Sequence, residues 1–262
     1  MRKIIIAILF FSINSVCAQK LPNVQKASLR APANVKVDGK SNEWGKLQAY
    51  NSAIGCEYTM ANDDKKLYLV VKASGNVIIN IINGGIKLSV NKTGSHVPFV
   101  KFPYMVKGKT VILAPKDWVH SDPDTVMMMD NKKLTSSIKW IYTSGIKGVD
   151  SLISIYNDKG IEAANAVDNN RLYTWELSVD LSLFGLSIEN SEKFSYHITL
   201  NGEPNRYTQD GLVDNVKRIL MQNNRDGSLT PDKLSSIGTN LQQGINMSTA
   251  ATDFWGDYTL AK

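Results

Sequence analysis

Val37-Asp38-Gly39-Lys40-Ser41-Asn42-Glu43-Trp44, followed by Tyr58-Thr59-Met60-Ala61-Asn62-Asp63-Asp64-Lys65-Lys66-Leu67-Tyr68-Leu69-Val70-Val71, decides the fold. An Asp-Gly turn, a single tryptophan and then a strand-turn-strand unit form the entry to a β-sandwich. Outward from it, residues rich in β-branched and aromatic side chains predict strands at 66–73, 77–82, 85–91, 110–113, 137–142, 152–156, 163–167, 171–179, 194–200 and 254–260. Gly, Asn, Asp and Pro punctuate these runs. Many short strands without alternating long amphipathic helices predict an all-β chain, an antiparallel, jelly-roll-like β-sandwich. One or two short helical turns are expected. The first is at 180–186. The second is at 230–234, with Thr230 as N-cap and Pro231 in the first position. The polar stretches 114–133 and 202–251 are weakly periodic and read as long loops. No internal repeat is visible.

Residues 1–18 read as a signal peptide: Arg2-Lys3, an apolar run from Ile4 to Phe11, and small residues to Ala18, where cleavage is expected. The apolar run is shorter than the roughly 20 residues a spanning helix needs. Lipidation of Cys17 is the competing reading. The chain is thus expected to be exported to the periplasm, the outer surface or the medium. Residues 19–34 form a lead-in and 35–262 a single domain. Losing Arg2 and Lys3 lowers the net charge from +6 to about +4. The remaining lysines are scattered, so no nucleic-acid partner is expected. Nor is a transmembrane segment. Beyond the leader Cys56 is the one cysteine, so no internal disulfide can form. Its apolar-alternating neighbours predict a buried thiol.

The motif Val37-Asp38-Gly39-x-x-x-Glu43-Trp44 and the run Ala61-Asn62-Asp63-Asp64-x-x-Leu67-Tyr68 resemble family 9 carbohydrate-binding modules and the wider DOMON-like sandwiches of exported Bacteroidetes-type proteins. Tyr173-Thr174-Trp175-Glu176-Leu177-Ser178-Val179 resembles the second half of such modules. The resemblance covers residues 35–71 well and most of the remainder loosely. It implies a β-sandwich and, as a possibility to test, sugar held between loop tryptophans. Neither family tryptophan aligns to a position here.

A pyranose ring has an apolar CH face and polar edges, so its site needs flat aromatics flanked by polar groups. Trp44, Trp140 and Trp175 lie in framework or strand positions and are expected in the core. Trp118 lies in a polar, proline-bearing loop with Asp117, His120, Asp122 and Asp124 nearby, and is the leading candidate for stacking. Its alternative role is to pin that loop to the sandwich. Trp255, at the start of the last strand, fits either a core or a ligand role.

No cofactor is expected. Asp122, Asp124 and Asp130 offer oxygen ligands for a structural calcium ion. The calcium-hand-like run at 224–230 lacks its first and last carboxylates, because Gln222 and Lys233 stand there. His96, His120 and His197 are too scattered for zinc. Met127-Met128-Met129 near His120 evokes a haem ligand set, but reads better as a loop edge. Glu162 and Glu176 on neighbouring predicted strands are the one carboxylate pair for glycoside hydrolysis. The expected function is a non-catalytic module, not an enzyme, that binds a glycan or another cell-envelope component. An envelope structural or protein-interaction domain is the alternative, and a glycoside-active enzyme the third reading.

Overall fold

The computed structural model describes residues 20–91, 97–105, 111, 113, 122–189, 193–202, 218, 220–222, 230–233, 235–239 and 250–262. Eleven strands are present among them: β1 Ala49–Asn51, β2 Cys56–Asn62, β3 Lys66–Ala73, β4 Ile86–Asn91, β5 Phe99–Phe102, β6 Trp140–Ser144, β7 Leu152–Ser154, β8 Ile161–Val167, β9 Tyr173–Asp180, β10 Lys193–Leu200 and β11 Thr252–Thr259. They form a five-stranded sheet, β1-β2-β3-β9-β8, and a six-stranded sheet, β11-β10-β4-β5-β6-β7. Every pairing is antiparallel. The all-β sandwich expected from the sequence is the fold.

The period-2 alternation of strands sets the core. Leu67, Leu69 and Val71 of β3, Trp175 and Leu177 of β9, and Tyr196 and Ile198 of β10 are all buried in one cluster between the sheets. Several polar atoms within it are matched, though the buried Tyr173 hydroxyl is not. The Trp175 indole N–H donates to the Phe102 carbonyl at 2.8 Å. The Tyr58 and Tyr196 hydroxyls meet at 3.0 Å.

The N-terminal segment lies along the edge of β2. Gln25 bonds through its side chain to both the Met60 N–H and the Met60 carbonyl. Arg30 bridges to Asn62. Farther on, the Asp38-Gly39 turn and Trp44 lie over the outer face of the five-stranded sheet. Glu176 and Ser178 on that face are accordingly buried, as is Val70. The lead-in thus runs along the edge of β2, and the opening motif is a strap across the sheet's outer face.

Helix α1 (Val77–Gly84) replaces the strand expected at 77–82. Its apolar residues fall at 77, 78, 81 and 82, a helical spacing that β-branched content masked. Gly84 closes against the Asn201 carbonyl, where a Cβ has no room. Helix α2 (Pro123–Ser137) occupies part of the stretch read as loop. Asp122 caps it, accepting from the Thr125 N–H at 3.0 Å, and Pro123 begins it. Asn131 of α2 then pairs with the Val167 N–H and carbonyl, both at 2.9 Å, covering the free edge of β8. Val111 and Leu113 are buried but lie in no strand. The turn expected at 180–186 is a 3-10 helix, Leu181–Phe184. Residues 231–233 and 235–239 are helical, with the Lys233 N–H reaching the Thr230 hydroxyl at 3.4 Å.

Candidate functional site

Asp117, Trp118 and His120 lie outside the described residues. Asp122 and Asp124 sit at the start of α2. Asp122 serves as cap, and Asp124 accepts from the Asn169 side chain at 3.3 Å. Because α2 packs on β8 and Trp255 lies on β11, these aspartates and Trp255 stand on opposite flanks of the sandwich. The structure does not bring them together. Asp130 is buried beside Lys133 and Arg171, each 3.7 Å from its carboxylate. Among the described residues no group of three His, Cys, Asp or Glu side chains is placed to hold a metal ion. Met127, Met128 and Met129 belong to α2, not to a loop.

Trp255 is 51% exposed on the outer face of the six-stranded sheet. It is opposite His197 in the β10–β11 register, and the two rings stack at 4.2 Å with 2° between their planes. Asp253 holds the imidazole, its carboxylate 2.6 Å from Nε2. One face of the indole is thus fixed by the protein. Below it, Asp257 accepts from the Ser195 hydroxyl at 2.8 Å and pairs with Lys193 at 2.8 Å. Trp255, Asp257 and Thr259 form one wall of an open groove of about 710 Å³, and residues 22–28 form the other. Gly256 between them leaves space for the Tyr196 ring beneath, which a Cβ would strike.

The same outer face continues across β4, β5 and β6. Registers place Ser89 beside His197, Phe99 beside Ser89, and Lys101 between Lys87 and Tyr142. Tyr104 stacks on Tyr142 at 5.2 Å. Trp140, expected in the core, is instead 36% exposed, because Ile141 and Thr143 take the inward positions of β6. Trp175 is buried as expected. The sequence did carry a signal for the His197–Trp255 pair. Polar and aromatic residues alternate with core residues at 193–199 and 253–259, but the partnership across strands needs the register.

The two glutamates do not form an open catalytic pair. Glu162 is an exposed ion-pair partner of Lys66. Glu176 is 2% exposed and fully engaged by the strap. Its Oε2 accepts from the Asp38 and Gly39 N–H groups at 2.9 and 2.7 Å, and its Oε1 from the Trp44 indole at 2.8 Å. Burial pushes its pKa up to about 7, against the pull of these donors.

No protein-family model matches the chain, and no curated protein does. Among solved structures it is similar to a family 9 carbohydrate-binding module from Caldicellulosiruptor kristjanssonii, determined in complex with glucose. The identity is 10% over 67% of this chain and 77% of that one, with a TM-score of 0.32. Among the described residues no helix is long and apolar enough to cross a membrane.

Proposed function

We propose that this chain is an exported, non-catalytic binding module that holds glycan on exposed aromatics of the six-stranded sheet, Trp255 foremost. One observation carries the reading. A half-exposed indole is stacked flat on a histidine that an aspartate pins, at the mouth of a groove lined with polar groups. An exposed tryptophan ordinarily loses rotamer freedom when a ligand binds. Here the His197 stack has already restricted it, so less is lost on binding. The CH face of a sugar can lie on the indole while its hydroxyls reach groups such as Asp257 and Ser195.

The test compares wild type and Trp255→Ala on a glycan array and in affinity gels. Wild type should bind at least one glycan, and the variant should lose at least tenfold in affinity, about 1.4 kcal/mol. Equal binding by the two proteins refutes the role of Trp255. A wild type that binds no glycan refutes the function.

A further inference from the structure

Lys87 and Lys101 are directly opposite each other on β4 and β5, on the outer face that carries Trp255. Like charges facing across a strand pair destabilise a sheet. Neither lysine is ion-paired among the described residues. Their ammonium groups lie instead over Phe99 at 5.4 Å and Tyr104 at 5.8 Å. The chain also makes room for this arrangement. Gly85 leaves open the space that the Lys101 stem fills, where a Cβ would come within 2.9 Å of its Cε. Burial, and then the Lys87 charge, hold the Lys101 ammonium below the ordinary lysine range. Two cations with no ion-pair partner among the described residues thus face each other on one patch, with aromatic rings around it.

Resting on the glycan reading above, we infer that this face takes a glycan carrying anionic groups, whose carboxylate or sulfate is received by Lys87 and Lys101. Trp255 and Lys87 are two strands apart and two residues out of line, roughly 12 Å. That distance calls for an oligosaccharide and not a single sugar, with one ring on the indole and an acidic ring over the lysines. The protein's positive net charge favours the approach of such a polyanion.

Affinity gels with the full chain test this, using polygalacturonate for carboxylate and dextran sulfate for sulfate, beside neutral dextran and xylan. Wild type should bind at least one acidic glycan more tightly than either neutral one, and the arm that responds assigns the anion. Raising salt from about 50 to about 500 mM should weaken that binding. Lys87→Gln/Lys101→Gln should lose at least tenfold on the acidic glycan and flatten the salt dependence, with neutral glycans unaffected. Lys87→Met and Lys101→Met singly, which keep the stems packed, repeat the test should the double variant melt early.

Undiminished acidic binding by folded lysine variants overturns the inference. So does a wild type that binds neutral glycans as tightly as acidic ones, while the Trp255 reading then stands. Retention by double-stranded DNA that Trp255→Ala leaves unchanged overturns it in favour of charge alone. Binding to no glycan overturns both readings.

Discussion

Glu176 joins the strap to the sheet, and removing it should cost stability in a way that depends on Trp44. Its carboxylate accepts three N–H donors, two from the Asp38-Gly39 backbone and one from the indole. Glu176→Ala strands all three, of which the Gly39 N–H is the most deeply buried. At about 1 kcal/mol for each net hydrogen bond, the loss is about 3 kcal/mol. Trp44→Phe keeps most of the packing on Tyr68, whose ring lies 5.9 Å away, and removes only the indole donor. It should cost about 1–2 kcal/mol. The two changes share one bond, so the double variant should fall short of the summed losses by about 1 kcal/mol. Urea unfolding followed by circular dichroism measures all four proteins. Additivity within about 0.3 kcal/mol would show that the bond contributes nothing. A Glu176→Ala cost below about 1 kcal/mol would refute the strap as an anchored layer.

Two further outcomes concern Glu176 and Gly84. A carboxyl raised to about 7 in the folded state contributes stability that is fully present below about pH 4.5 and is lost as pH rises through 7. Allowing for solvent screening, wild type should be about 1–2 kcal/mol less stable at pH 8 than at pH 5, and Glu176→Gln should lack that decline in urea titrations. Gly84→Ala, which sets a methyl against the Asn201 carbonyl, should cost about 1–3 kcal/mol in thermal unfolding, and a cost near zero would mean α1 shifts freely.

The sandwich was legible because its strands follow local rules. Residues 66–73 match β3 to the residue, since a turn closed by Asp63 fixes where the strand begins. Asp63 accepts from the Lys65 and Lys66 N–H groups, both at 2.7 Å, and from the Tyr68 hydroxyl at 2.7 Å. Where local signals conflict, the longer-range structure prevails. Val77-Ile78-Ile81-Ile82 has strand composition and helix spacing, and burial of one face settles it as a helix. Asp122-Pro123 is a readable helix start, yet the polar sequence after it hides α2, because Asn131 anchors that helix through an edge strand 36 residues away. The short strand β5 ends at Phe102, before Pro103, and offers too few residues for a pattern. The candidate site was legible only in part. Trp255 is visible as an aromatic in a polar strand. Its stack on His197 and the Lys87–Lys101 confrontation are facts of register, and register cannot be read from one strand alone.

The opening motif and the candidate site belong to different sheets, and this separates their roles. Asp38-Gly39 and Trp44 close over the part of the five-stranded sheet's outer face that carries Tyr68 and Glu176, so the chain itself covers that part. Gly39 shows how tight the closure is, since a Cβ there would meet the Asn165 carbonyl carbon at 2.7 Å. The motif's conformation is fixed by an internal carboxylate, which is why it marks the fold and says nothing about what is bound. The outer face of the six-stranded sheet is the converse. Trp255 stacks on His197, Lys87 and Lys101 lie over aromatic rings, and Trp255 and Trp140 remain open to solvent. Substitutions in the strap should therefore lower stability without changing ligand preference, whereas those at Trp255, Lys87 and Lys101 should change binding with little change in unfolding. A Trp44→Phe protein that stayed folded but lost glycan selectivity would contradict this division, because it would tie the strap to the ligand through the core.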